Sequence, residues 1–190
     1  MNKAFFGKLK EEYTFFNQQR REIIGRSADA LHKSKIAIFT IHRQQFEEAA
    51  KLLVEIESTL AKLEPSFKKS PGLRYEGSYK AAIEEYAEAK LLYGILVDKT
   101  LKPIKAVKLE FDSYLAGLCD VTGELIRSAT LAATAGDMKQ VYWIRDIITD
   151  ILGELVIFNL TAYLRTKYDQ AKGNLRKIEQ MVYELSLKRS

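Results

Sequence analysis

The chain has 190 residues, of which 47% are hydrophobic and 29% charged, and its formal net charge is +5. This is the composition of a folded globular domain with a sizeable core, and disorder is not indicated. The single cysteine, Cys119, excludes an internal disulfide and a thiolate metal cluster. The mild basic excess is compatible with a polyanionic partner but does not require one.

The N-terminal segment MNKAFFGKLKEEY becomes charged almost at once, so no signal peptide is predicted. Apolar stretches are interrupted by Lys, Glu or Asp well before the ~18 residues that a membrane span needs. The lone cysteine is consistent with a reducing compartment. We therefore expect a cytoplasmic protein without membrane association.

Helical periodicity dominates the chain, and alternating strand patterns are scarce. A first helical region is predicted over about 5–63, with a kink or division near Gly25. The stretch EPSFKKSPG at 64–72 is the clearest break, and a second helix is predicted over about 75–96. The segment 98–110 contains a proline and is predicted to be a connection.

The C-terminal half predicts three further helices. The first covers about 111–133 and the second about 138–156, with Asp137 between them as a candidate N-cap. Asn159 marks a break before a final helix over about 161–187. Together these elements predict an all-α fold, a single-domain antiparallel helical bundle over residues 1–190.

Two acidic pairs are the main candidates for chemistry. Glu85 and Glu88 are three apart, and Asp120 and Glu124 are four apart, so each pair shares one face of its helix. The small residue Gly117 beside the second pair is expected to leave room for a ligand. If the two faces oppose each other, four carboxylates converge, and their repulsion requires a cation. Oxygen ligands favour Mg²⁺ or Mn²⁺, so a metal-dependent phosphodiesterase is the leading hypothesis.

Spacing alone leaves other interpretations open. Acidic pairs on helices are often solvated surface charges, which is the interpretation we give to Glu47 and Glu48. For His32 and His42, three roles remain open: acid–base chemistry, ordinary packing or surface placement, and part of a polyanion-binding face. A cluster of basic residues is either a solvated helix face or a polyanion-binding surface: Arg20, Arg21, Arg26, Lys33, Lys35 and Arg43. The nearby aromatic residues are predicted to belong to the core: Tyr13, Phe15, Phe16, Phe39 and Phe46.

Several segments resemble the translin family. They are YLAGLCDVTGELIR at 114–127, TAGD at 134–137, the tail at 167–189, KSKIAIFTIHR at 33–43 and EEYAEA at 84–89. Within the family they are most similar to translin-associated factor X, the ribonuclease subunit, whereas translin mainly binds nucleic acid and builds the shell. The resemblance implies a helical bundle of the translin type.

The resemblance also implies a function. Glu85, Glu88, Asp120 and Glu124 would be catalytic and would hold Mg²⁺, for which Mn²⁺ is an alternative. The implied activity is an endoribonuclease acting on single-stranded or nicked RNA inside a homo-oligomeric shell, commonly an octamer, with DNA cleavage left open. Arg127 and the six basic residues above would hold the RNA backbone. The alternatives are a translin-like protein that binds RNA or DNA without cutting, and a scaffold that binds another protein.

Overall fold

The computed structural model describes residues 2–187, so the extreme ends of the predicted domain 1–190 and of the tail motif lie outside the described residues. No strand occurs between residues 2 and 187, which confirms the all-α prediction. The helices of this range are α1 Lys3–His42, α2 Phe46–Ala61, α3 Glu64–Lys69, α4 Gly77–Leu96, α5 Phe111–Thr134, α6 Met138–Leu155 and α7 Ala162–Leu187. Short 3₁₀ turns cover Pro71–Tyr75 and Val156–Phe158.

The boundaries of α4 to α7 fall close to the predicted ones because strong local signals mark them. Asp137 caps α6, accepting a hydrogen bond from the backbone N–H of Gln140 at 3.0 Å. Gly136 precedes it with a φ of 79°, a conformation that glycine adopts without strain. Asn159 takes the left-handed conformation, with a φ of 46°, in the break before α7.

The predicted division of the first helical region near Gly25 is wrong. Helix α1 continues through Gly25, flanked by the buried residues Ile23 and Ser27, and the chain turns instead at residues 43–45. A helix-interior glycine costs only about 1 kcal/mol, which packing on either side outweighs. Gln44 makes the turn with a φ of 61°, a conformation that no glycine or proline signals in the sequence.

The helices pack in a chain of neighbours around one hydrophobic core. Helix α1 lies between α2 and α4, α4 packs against α5, and α5 packs against α6 and α7. Helices α1 and α2, which the turn at 43–45 joins, are antiparallel. The long connection at 97–110 returns the chain, so that α4 and α5 run in the same direction: Lys80 near the start of α4 bonds Asp112 near the start of α5. Equivalent turns of α4 and α5 therefore face each other.

Helices α4 and α5 approach very closely at Gly117. A Cβ atom placed on Gly117 would lie 2.8 Å from the Cβ of Ala87 and 3.3 Å from the backbone nitrogen of Glu88. The space beside Gly117 is thus filled by α4, and the prediction that it leaves room for a ligand is wrong. The contact brings Glu88 next to the α5 turn that carries Asp120.

The N-terminal half of α1 projects from the body. Among the described residues before Ile23, no side chain is buried, and Tyr13 is 71% exposed. The core prediction for the aromatic residues is therefore wrong for Tyr13, Phe15, Phe16 and Phe39, all of which are exposed, and only Phe46 packs against the core. The helical spacing of these aromatic residues reflects a face of α1 that the rest of the described chain does not cover.

Within residues 2–187, no helix is both long enough and apolar enough to cross a membrane.

Candidate acidic site and its basic surroundings

The two predicted acidic pairs are brought together by the α4–α5 contact. Glu88 is largely buried, and burial is the main cause that raises the pKa of its carboxyl to about 8. The negative charges of Asp120, Glu85 and Glu124 raise it further, in that order. The four carboxylates are thus close enough to perturb one another, as the sequence hypothesis requires.

Glu85 lies at the edge of the same cluster. Burial raises the pKa of Glu85, and Asp120 and Glu124 act in the same direction, while the nearby ammonium of Lys35 opposes them. Lys35 is therefore one basic residue of α1 whose charge acts on the acidic cluster.

Glu124 is held by a histidine at the end of α1. The Nε2 atom of His42 donates to the carboxylate of Glu124 at 2.5 Å, and the Ser128 hydroxyl oxygen lies 3.2 Å from Nδ1. The His42 side chain is only 3% exposed. This hydrogen bond is the main cause that lowers the pKa of Glu124, and Arg127, 3.6 Å away, adds to it. Glu124 is thus ionised at neutral pH.

Asp120 is held by a lysine from α7. The Lys167 ammonium donates to the Asp120 carboxylate at 2.5 Å and lies 5.4 Å from the ring centre of Tyr163. Although burial alone would lower the pKa of Lys167, the bond to Asp120 outweighs it and the pKa rises. The Tyr163 hydroxyl in turn donates to Glu84 at 2.6 Å, which ties α7 to α4.

A groove between α5 and α7 opens beside this cluster. It has a volume of about 570 Å³, and Glu88 and Asp120 form its acidic wall. The opposite wall is polar or basic: Lys167, Gln170, Asn174 and Lys177. The groove is thus wide enough for a polar ligand and carries both signs of charge.

The acidic cluster suits a cation in chemistry and charge, but its ligands are not assembled around one point. Carboxylate oxygens are the donors that Mg²⁺ and Mn²⁺ prefer. Within the described part of the chain, however, no three His, Cys, Asp or Glu side chains are grouped as a metal site. The reason is visible in the contacts, since Asp120 turns toward Lys167 and Glu124 toward His42. Cation binding would require both carboxylates to turn.

The predicted basic residues fall into three groups. Arg20 forms an ion pair with Glu76 before α4, Arg26 with Glu22 on α1, and Lys33 with both Asp29 on α1 and Glu55 on α2. Arg21 lies on the exposed surface of the projecting half of α1. Lys35 and Arg127 lie near the acidic cluster, and Arg43 lies beside Phe39. The guanidinium carbons of Arg43 and Arg127 are 5.8 and 5.6 Å from the ring centre of Phe39.

Sequence reasoning missed Lys167 and left the place of His42 open. Lys167 is 47 residues from Asp120 and His42 is 82 residues from Glu124, so no local spacing pairs them. Lys167 does stand at the start of the family-like tail segment, and His42 lies within KSKIAIFTIHR. Those segments were the only available signal, and they carry no indication of which carboxylate each residue meets.

The fold and the site define an all-α protein with an acidic cluster bordered by basic side chains. The chain belongs to the Translin family, whose profile matches residues 17–189. It is 35% identical to translin of Gallus gallus over 81 residues, which is 42% of this chain and 35% of that protein. It is 32% identical to translin of Homo sapiens over 85 residues, 44% of this chain and 37% of that one. The matches thus span little more than a third of the length of these relatives.

Solved structures share the fold over nearly the whole chain. The structure described as an AfC3PO–duplex RNA complex has a TM-score of 0.89 at 20% identity, covering 97% of each chain. Apo-NeC3PO has a TM-score of 0.86 at 22% identity, covering 94% of this chain and 95% of that one. These similarities confirm the predicted translin-type helical fold, and at such identities they show the fold alone.

Proposed function

We propose that this protein binds RNA and cleaves it at the acidic cluster, as a catalytic member of its family of the translin-associated factor X type. Glu85, Glu88, Asp120 and Glu124 would hold Mg²⁺, or Mn²⁺ in its place. The observation that supports this most is Glu88, a largely buried carboxyl surrounded by three others. Such an arrangement costs free energy unless a proton or a cation offsets the charge.

A divalent ion bound here would neutralise charge on a phosphate and lower the pKa of a water molecule. The chain's own residues have separate tasks. Lys167 and His42 offset the charges of Asp120 and Glu124 until a cation displaces them. A carboxylate free of the metal accepts the proton of the attacking water, for which Glu88 and Glu124 are the candidates. Glu124, with its lowered pKa, binds a proton weakly, whereas Glu88, with its raised pKa, binds a proton tightly.

The basic side chains around the cluster support RNA as the ligand. Lys35 and Arg127 border it on the α1 side, and Lys167 and Lys177 line the groove on the α7 side. Phosphate contacts from such residues position a nucleic acid without reading its sequence. The description of AfC3PO as a duplex RNA complex agrees with this ligand class. We propose single-stranded or nicked RNA as the substrate, with DNA to be tested beside it.

A homo-oligomeric shell, with an octamer as the expected form, is part of the proposal. The projecting half of α1 supports it, because its aromatic residues, among them Phe5, Phe6 and Tyr13, are left exposed by the rest of the described chain. Exposed apolar faces of this kind are typical of protein–protein contacts. Cytoplasmic localisation stays a prediction of the sequence.

A second candidate is a translin-like protein that binds RNA or DNA without cutting. Two observations favour it: Asp120 and Glu124 already have basic partners, and the similar curated proteins are named translin. It predicts binding that weakens with salt and survives loss of the acidic residues. A protein scaffold would instead ignore nucleic acid altogether.

The deciding experiment compares Asp120→Asn with Glu47→Gln in cleavage of labelled single-stranded RNA. Each variant removes one negative charge, but Glu47 lies on the exposed face of α2. We expect Asp120→Asn to lose activity by about 100-fold or more and Glu47→Gln to retain it. EDTA should abolish cleavage in both Glu47→Gln and the wild type. Full activity of Asp120→Asn, or cleavage unchanged in EDTA, would refute the proposed site, and wild-type binding without turnover would establish the second candidate.

A further inference from the structure

An aromatic residue with two arginines stands beside the acidic cluster. Lys35 and Phe39 are four residues apart in the last turns of α1, and Arg43, the C-cap residue, follows four residues later, so the three form one stripe at the end of the helix. Phe39 is 50% exposed, and the guanidinium carbons of Arg43 and Arg127 both lie within 6 Å of its ring centre. We call Phe39, Arg43 and Arg127 the aromatic–arginine patch.

The aromatic–arginine patch is joined to the acidic cluster by two short links. Arg127 lies 3.6 Å from the Glu124 carboxylate, and Phe39 precedes His42, the partner of Glu124, by three residues on the same helix. A ligand seated on Phe39 would therefore extend directly to the carboxylates. Among the described aromatic residues, Phe39 is the one whose ring lies near two cationic side chains.

We propose that the aromatic–arginine patch binds one unpaired nucleotide of the RNA, with its base stacked on Phe39 and its phosphates on Arg43 and Arg127. The inference rests on the proposed function, since it takes RNA as the ligand and specifies single-stranded RNA as the preferred form.

The chemistry of the patch explains that preference. Every base has a π face, so stacking on an exposed ring tolerates all sequences. Guanidinium groups bind phosphate oxygens in a bidentate manner and also stack on flat rings. In a duplex the bases are already paired and stacked on each other, and their faces are not available to Phe39. The patch thus selects for unpaired nucleotides while reading no sequence.

The test measures RNA binding in EDTA, so that cleavage does not interfere. The probe is a 12-nucleotide single strand with one 2-aminopurine, compared with the same strand in a blunt duplex. Phe39→Ala is expected to weaken single-strand binding by about tenfold and to leave duplex binding within about twofold. Phe39→Trp should retain affinity and the quenching of 2-aminopurine. Because Phe39 is exposed on a helix, neither change removes core packing.

The matched control is Tyr183→Ala, which removes a 58% exposed aromatic residue 16 positions beyond Lys167 on α7, about 24 Å along the helix. It should bind single strands as the wild type does. Equal loss of single-strand and duplex affinity in Phe39→Ala would overturn the stacking site, and so would unchanged affinity. A change of oligomeric mass in Phe39→Ala by light scattering would also overturn it, because Phe39 would then belong to a contact between copies.

The outcome separates the two proposals. If Phe39→Ala binds single strands normally while Asp120→Asn abolishes cleavage, the stacking site fails and the proposed function stands. If the wild-type protein binds neither probe at low salt, both fail together.

Discussion

The unusual proton affinity of Glu88 makes a direct prediction for stability. The pKa of Glu88 in the folded protein is raised from 4.5 to about 8, chiefly by burial and then by three neighbouring carboxylates. The folded state therefore binds this proton more tightly than the unfolded state. Its contribution to stability is complete below pH 4.5 and is lost as the pH rises through 8. Glu88→Gln removes the ionisation and should be more stable than the wild type at high pH.

The size of the effect follows from the shift. Each pKa unit corresponds to about 1.4 kcal/mol, so the shift amounts to about 5 kcal/mol when Glu88 is fully ionised. Because the groove beside Glu88 admits water, we expect Glu88 to lower the free energy of unfolding of the wild type by only about 2–3 kcal/mol between pH 5 and pH 9. For a chain of this length this corresponds to a difference of about 5–10 °C in Tm.

The assay is thermal unfolding followed by circular dichroism at pH 5, 7 and 9 in EDTA, at one protein concentration. Glu88→Gln should match the wild type at pH 5 and exceed its Tm at pH 9, while Glu47→Gln should follow the wild type throughout. Adding Mg²⁺ at pH 8 should then raise the wild-type Tm, since a ligand of the folded state stabilises it, and should raise that of Glu88→Gln less. Parallel pH profiles for wild type and Glu88→Gln would refute the electrostatic reasoning.

Two further predictions concern neighbours of the cluster. Lys167→Met leaves Asp120 without its partner and should destabilise the protein in EDTA by about 1–2 kcal/mol, while enlarging the Tm increase that Mg²⁺ produces. A Mg²⁺ response that shrinks in Lys167→Met would contradict a cation site at Asp120. Gly117→Val must separate α4 from α5, because even a Cβ would lie 2.8 Å from the Cβ of Ala87. The substitution should lower the free energy of unfolding by about 1–3 kcal/mol and remove most of the cleavage activity. An unchanged Tm and rate for Gly117→Val would show that this close approach does not position the carboxylates.

The helices of the C-terminal half were predictable because their signals are local. The capping side chain of Asp137 and the break at Asn159 depend on a few adjacent residues, and both lie where the sequence predicted them. The turn after His42 was not predictable. It is made by Gln44 with a positive φ, a conformation that packing of α1 against α2 imposes on a residue without intrinsic preference for it.

The candidate site was likewise predictable only in part. Helical spacing alone puts Glu85 with Glu88, and Asp120 with Glu124, because three or four residues make one turn. Whether the two faces meet depends on the close approach of α4 and α5 at Gly117, and the sequence interpretation of that glycine was wrong.

The sequence by itself determined the helical segments and the shared face of each acidic pair, since both follow from contacts within one or two turns of chain. Only the tertiary structure decided that Lys167 pairs with Asp120 and His42 with Glu124, and that Phe39 lies at the surface. These features join residues tens of positions apart, and they arise when whole helix faces are buried together. The charge that a carboxylate meets, and hence its pKa, is a property of that packing.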